Sequence, residues 1–321
     1  VSGTPEFKLP ESVRHGDIIV VDTGGTNVRL GNLSDGQPAG VIDFTSSAAL
    51  RIEEARAALA DLVHEHAREH QLEPAVVVIG IPGMLDRERD TLTHCNNIPQ
   101  LEGAGLRSEM TRLIGCPVLL EQDIMLQLLG EWRCGAVRGS PAVLAVYFGT
   151  GIDAAYLQDG NPFRQGASSL QAGHIPVLAR GTRCLCGNRD CVESYACGHT
   201  LTGLVERAGI PVDLLFTHRG DDDLDQALDE FVMLHAWTIA TAVTLLEPDD
   251  VLVGGGIPSM SGYPHDRLEQ QIRDHLQHPH PADTLRISKA TLENHGALHG
   301  ALALIDLHQN QPDSQNPVIS T

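Results

Sequence analysis

The sequence predicts an α/β protein made of two similar halves with a cleft between them. A strand, glycine turn and second strand occur near the start, in DIIVVDTGGTNVRLGNL (17–33), and again at 142–160, in AVLAVYFGTGIDAAYLQDG. Each unit leads into amphipathic helical sequence and then further β-branched strands, an alternation that means α/β. At 321 residues and 34.5 kDa the chain is also too long for one small core and suits two lobes.

The elements follow in order. The start, VSGTPEFKLPESVRHGD, lacks both a basic start and an apolar stretch and reads as a flexible lead-in rather than a secretory signal. DIIVV and the alternating residues after the glycines form a hairpin. Residues 51–70 place Ile52, Ala55, Leu59, Leu62 and Val63 on one face, an amphipathic helix. AVVVIGIPGML is a buried strand ending in Gly80, Pro82 and Gly83, and CPVLLEQD is a second, running into Asp123. After the second hairpin, Leu224–Glu247 is a long helix stopped by Pro248, and DDVLVGGGIP is another strand running into glycines. GALHGALALIDLH (296–308) closes the chain as a helix, and QNQPDSQNPVIST reads as a disordered polar tail.

Composition excludes several classes. The formal net charge of −20, with no Lys/Arg-rich run, argues against nucleic-acid binding. No apolar run approaches the roughly 20 residues of a membrane-spanning helix. Seven cysteines, an odd number unevenly spread, fit reduced thiols in the cytoplasm better than a disulfide framework. The 16 histidines are read mostly as solvated surface groups.

Three glycine turns, DTGGT, FGTG and GGG, each follow an apolar strand. Backbone N–H groups there can approach an anion closely, because no side chain intervenes. Taken singly each is an ordinary hairpin turn; taken together they point to a polyphosphate. No P-loop and no G-x-G-x-x-G before a helix occurs.

Cys184, Cys186 and Cys191 form C-x-C-x4-C, and His174 lies ten residues upstream. Three thiolates and an imidazole make a complete tetrahedral set for a structural zinc. Zinc is favoured over three unconnected buried thiols or a redox loop, and Cys197 outside the pattern is read as packing. Asp123, after an apolar strand and before a helical run, is by itself either an N-cap or a catalytic carboxylate.

These residues resemble the ROK group (repressors, open reading frames and kinases) of the actin-like, hexokinase-like ATPase superfamily, over about residues 17–306. The resemblance implies a two-lobed actin-like, ribonuclease H-like ATPase fold with a duplicated βββαβα core. It divides the chain into a small lobe (1–122, with helix 296–308 packing back) and a large lobe (123–295) carrying the zinc loop 174–191. Asp22, Gly24, Gly25, Thr26 and Arg29 are similar to the first phosphate loop DxGGTxxR, and Gly149, Thr150 and Gly151 to the second. Gly254, Gly255 and Gly256 match the adenosine-side glycines, so the resemblance implies ATP with Mg²⁺ in the cleft.

The family's GH…CxCGxxGCxE signature is matched at every zinc ligand, with Asp190 in place of a glycine. The resemblance further implies that zinc fixes His174 and Glu193 against a sugar, and that Gly83 and Asn97 line the same pocket. The family's E-N-D reads Glu121-Gln122-Asp123 here, with Asp123 as general base and Gln122 in place of a sugar-binding asparagine. Phosphoryl transfer needs such a base, donors around the phosphates and Mg²⁺.

Two departures stand out. Gln171 replaces the glutamate of G-E-x-G-H and Asp153 replaces a glycine beyond the second loop; either they retune substrate choice or they weaken activity. NNIP-Q, the D-x-x-L-Q-L run and GHIPV are most similar to the D-allose kinases, so the expected reaction is ATP-dependent phosphorylation of a hexose or amino-hexose, at the 6-hydroxyl, with D-allose as the lead. The alternative is a sugar-binding or regulatory relative with weak or no kinase activity. The 16 residues before the first strand are too few for the DNA-binding domain of a repressor, which needs at least about 50. A homodimer is the expected assembly.

Overall fold

A computed structural model describes residue 13 and residues 16–163, 170–218 and 220–310. Most of the expected N-terminal lead-in and most of the polar tail lie outside the described residues.

The first half runs β1 (Asp17–Thr23), β2 (Asn27–Ser34), β3 (Gln37–Ser46), α1 (Ala55–Glu69), β4 (Pro74–Ile81), the short pair β5 (Met84–Leu85) and β6 (Leu92–His94), α2 (Leu106–Ile114), β7 (Val118–Gln122) and α3 (Asp123–Cys134). The second runs β8 (Ala142–Phe148), β9 (Ile152–Gln158), β10 (Asn161–Pro162), α4 (Glu193–Ala196), α5 (Gly198–Ala208), α6 (Asp222–Leu246), β11 (Asp250–Gly254), α7 (His265–Asp274), β12 (Arg286–Lys289) and α8 (Gly296–Asn310).

Two five-stranded sheets result, ordered β3-β2-β1-β4-β7 and β10-β9-β8-β11-β12. In each, an antiparallel hairpin begins the sheet and two parallel strands extend it from the hairpin's first strand. One topology is used twice.

The central strands β1, β4, β8 and β11 are buried on both faces, which is why they read as continuous apolar runs. Ile19, Val21, Val77 and Ile79 face a core shared with α1 and α2. Their neighbours Ile18, Val20, Val76 and Val78 face a central core shared with α3 and α8. The second sheet divides likewise: Val143, Ala145 and Leu252 join the central core, while Leu144, Val146, Val251 and Val253 pack towards α6 and α7. The period of two along a strand thus deals residues alternately to two cores.

The central helices α3 and α8 touch backbone to backbone. A Cβ on Gly130 would lie 2.1 Å from Gly296 O, and one on Gly300 would lie 1.9 Å from Leu126 O. Helix α6 starts where the Asp221 carboxylate accepts from the N–H groups of Asp223 and Leu224, both at 3.1 Å, and ends at Glu247, left-handed at φ 46°, just before Pro248.

Helix α1 begins at Ala55, not at residue 51, and Ile52 is exposed. The histidines are not all solvated: His66 and His235 are buried, the latter bonded to Tyr263 Oη and Ala196 O, both at 2.7 Å, and stacked on Phe148. Burial drives the His235 pKa down to about 3, so the ring is a neutral bridge in the core. Among the described residues no helix is long and apolar enough to cross a membrane.

Candidate active site

The two glycine hairpins meet across a cavity of about 470 Å³, within the roughly 300–1,000 Å³ range of small-molecule sites. In the first turn, Gly24 N donates to Asn27 O at 2.9 Å, and Asp22 stands opposite Arg29 in the β1–β2 register. In the second, Gly149 N donates to Gly151 O at 2.9 Å. The Thr26 and Thr150 hydroxyls are 3.0 Å apart, so one hairpin tip touches the other.

The third turn, after β11, requires glycine at Gly255. Its φ is +100°, and a Cβ there would lie 2.3 Å from Phe148 O. Gly255 and Gly256 line the cavity, while Gly254 packs on the Tyr147 ring behind it.

Of the other expected residues, Asp22, Gly24, Gly25, Arg29, Asn97, Asp123, Gly149, Thr150 and Gly151 are on the wall. Asn97 is held against Gly25 by Arg51, which donates to Asn97 O at 3.1 Å and to Gly25 O at 3.2 Å. Thr26, Gly83, Gln122, Gln171, His174 and Glu193 are off the wall. Gln122 Nε2 donates to Gly83 O at 2.6 Å, so its amide is engaged by the turn after β4. Glu193 Oε2 accepts from Ile152 N at 2.9 Å and sits 2.7 Å from the position of a Cβ on Gly151. The glutamate therefore backs the second glycine turn. Gln171 is exposed.

The wall also includes Gln127, Glu131, Tyr147, Asp153, Ser259, Glu293 and Asn294. Gln127 and Glu131 lie one and two turns into α3 and inherit the direction of Asp123, a helical signal readable in advance. Glu293 and Asn294 come from the link between β12 and α8, where no motif marks them.

The electrostatics are dominated by carboxylates. Asp123, the first residue of α3, has its pKa raised well above the ordinary value, first by burial and then by the charges of Asp153 and Asp22. Asp153, an exposed residue on the cavity wall, is pushed up to about 6 by desolvation and then by the charge of Glu193. Asp22 is raised by burial, in part offset by Arg29 Nη1 at 3.0 Å and Gln127 Nε2 at 3.2 Å. Arg29 Nε is buried and has no partner among the described residues, so this donor is left unsatisfied beside the cavity that Arg29 lines. Asp22, Asp123 and Asp153 all line the cavity and offer only oxygen donors, a chemistry that suits a Mg²⁺ ion accompanying phosphates.

Behind this wall lies the cysteine loop. His174 Nδ1 is 3.7 Å from Cys184 Sγ, Cys186 Sγ is 3.7 Å from Cys191 Sγ, and the four ligand atoms all lie within 4.8 Å of one another. Tetrahedral ligands about 2.3 Å from zinc stand roughly 3.8 Å apart, so the set fits that ion with little movement. Val192 N to Ile175 O (2.9 Å) and Val177 N to Asp190 O (3.0 Å) fold the loop back on itself and bring His174 to Cys191. Asp190 is left-handed, φ 61°, which explains a glycine preference at this position. Its carboxylate compensates by accepting from Gly181 N and Thr182 N, both at 3.0 Å, and from Tyr195 Oη at 2.5 Å. Cys197 is buried in the second core, as packing.

A model of the ROK family matches residues 18–307. The chain is 26% identical over 310 residues to a glucokinase of Thermotoga maritima, covering 90% of this chain and 96% of that one. It is 28% identical over 263 residues to an N-acetyl-D-glucosamine kinase of Aliivibrio salmonicida, covering 77% and 85%. Among solved structures, a ROK family glucokinase from Streptomyces griseus in complex with glucose and AMPPNP superposes with a TM-score of 0.76 at 23% identity, covering 90% of this chain and 99% of that one.

Proposed function

The chain belongs to the ROK family, and from that membership and the chemistry of the cleft we propose that it is an ATP-dependent sugar kinase whose general base is Asp123. The observation that carries this reading is the position of Asp123: on the cavity wall, at the start of α3, beside two glycine turns whose threonines touch.

In this reading the triphosphate lies between Gly24–Thr26 and Gly149–Gly151, with Arg29 donating to it and the adenosine towards Gly254–Gly256. Asp22 and Asp153 would hold Mg²⁺, which would supply the charge neutralisation that this acidic wall otherwise denies the phosphates. The sugar lies on the Asn97 side, where Gln122 contributes by holding the Gly83 turn. Asp123 accepts the proton of the sugar hydroxyl, the 6-hydroxyl in this proposal. The sugar oxygen bonds to the terminal phosphorus as the bond from that phosphorus to the bridging oxygen breaks, and ADP leaves. A raised pKa suits the role, because a base works best with its pKa nearer the working pH.

Zinc bound by His174, Cys184, Cys186 and Cys191 fixes Glu193, and through it the second glycine turn; His174 and Gln171 are the proposed sugar contacts of that loop. The relatives' names make glucose and N-acetylglucosamine candidates beside D-allose. The cytoplasm, where ATP is abundant, is the proposed location, and a homodimer is the proposed assembly.

The test is coupled ADP release with D-glucose, N-acetylglucosamine and D-allose. Turnover with one of them, lost in Asp123→Asn, supports the proposal; no ADP above background with any aldohexose or N-acetylhexosamine refutes it. Asp153, which repels both Asp123 and phosphate, favours a second reading, a sugar-binding protein of weak activity. Calorimetry showing sugar binding without turnover would decide for it.

A further inference from the structure

Outside the cavity wall, on the edge strand of the first sheet, Asp43 of β3 meets His66 of α1 and His70, the residue that caps the end of that helix. Residues four apart on a helix share one face, and a pair of histidines at that spacing is a well-used way to hold a metal. Here His66 Nδ1 lies 2.7 Å and His70 Nε2 2.9 Å from the same oxygen, Asp43 Oδ2. The rings are 4.4 Å apart, and the three ligand atoms all lie within 4.8 Å of one another.

We propose that Asp43, His66 and His70 form a second metal site, for a divalent transition ion, that clips α1 to strand β3. Two imidazole nitrogens and a carboxylate oxygen, with remaining positions filled by water, suit Zn²⁺ or Ni²⁺ rather than the oxygen-seeking Mg²⁺. Ligands about 2.0–2.1 Å from such an ion stand roughly 3.3 Å apart. The triad need open by only about half an ångström, which the Asp43 side chain, 40% exposed, can supply.

The three partners differ in a way that favours ion capture. His66 is buried and His70 partly so, which leaves one preorganised ring, one accessible ring and an exposed carboxylate. His66 Nε2 is buried with no partner among the described residues, so the hydrogen bond to Asp43 is the contact that holds the proton on Nδ1. When that proton resides on Nε2, the Nδ1 lone pair points to where Asp43 and His70 converge. In the absence of an ion the same atoms are held by the two short hydrogen bonds, and the site is closed but intact.

The test uses the full chain carrying one equivalent of zinc, the amount the cysteine loop would hold, and Ni²⁺, followed by calorimetry and by metal analysis. One further equivalent of nickel is expected, with zinc content unchanged and no thiolate-to-nickel absorption. His70→Gln and Asp43→Asn, both at accessible positions, lose that equivalent, while His64→Gln on the exposed side of α1 keeps it. Nickel raises the Tm of the wild type and leaves that of His70→Gln unmoved. Absence of a further equivalent, or one that survives in both His70→Gln and Asp43→Asn, overturns the proposal.

Discussion

Replacing Glu131 with glutamine tests how the nucleotide side of the cleft is built. Glu131 is 1% exposed, and its carboxylate accepts four hydrogen bonds. Oε1 takes Thr291 N at 2.5 Å and Leu292 N at 2.7 Å; Oε2 takes Ala136 N at 2.7 Å and the Thr291 hydroxyl at 3.0 Å. A glutamine does best with its NH₂ in the Oε2 position, because the threonine hydroxyl can turn to accept. Ala136 N–H is then left facing another donor, at about 1–3 kcal/mol. The two remaining bonds lose charge assistance, at about 1 kcal/mol each. The sum is about 3–5 kcal/mol, and with roughly 2 °C lost per kcal/mol in a chain of this size, Tm should fall by roughly 6–10 °C. The segment released leads directly to Glu293 and Asn294 on the cavity wall, so the KM for ATP should rise more than that for sugar. Thermal melts and steady-state kinetics measure both. A loss below about 1 kcal/mol, or equal changes in the two KM values, would show that Glu131 does not hold this segment.

Further outcomes follow from the same geometry. Asp123→Asn should lower kcat by about 10²–10⁴-fold, the usual worth of a general base, with sugar affinity retained in calorimetry. Because Asp123 works ionised and its pKa is raised, kcat/KM should fall as pH drops through a value above the ordinary carboxylate range. Asp153→Asn removes a repelling charge and should shift that acid limb to lower pH; an unmoved limb would detach Asp153 from the base. Stripping zinc with a chelator should weaken nucleotide as well as sugar binding, since Glu193 carries the loop's position to Gly151, and unchanged affinity for both would separate the loop from the site. Gly300→Ala, whose Cβ would lie 1.9 Å from Leu126 O, should destabilise the chain by about 1–3 kcal/mol, as overpacking does; a melt unchanged from wild type would mean that α8 shifts freely.

What could be read from the sequence divides along physical lines. Strands buried on both faces announce themselves as apolar runs, and glycine turns that follow them are local signals, so β1, β4, β8 and β11 were legible. The cluster of His174, Cys184, Cys186 and Cys191 is compact enough to be read within one loop. Burial of a polar group by distant chain is not a local signal. Nothing in LLGEW shows that Glu131 caps a segment 160 residues on, and nothing in HEHAREH separates buried His66 from exposed His64. Gln122 is a milder case: its position at the end of β7 was clear, but only the fold shows that its amide is taken by Gly83.

The position of α8 has a consequence for biosynthesis. The first sheet presents Ile18, Val20, Val76 and Val78 to a core completed by Ala301, Leu304 and Ile305. About 160 residues separate the end of α3 from the start of α8, which at roughly 5–20 residues per second is a delay of roughly 8–30 s on the ribosome. Throughout that interval α3 alone covers this face of the nascent amino-terminal half, and the apolar strip that α8 will cover stays exposed until that helix docks.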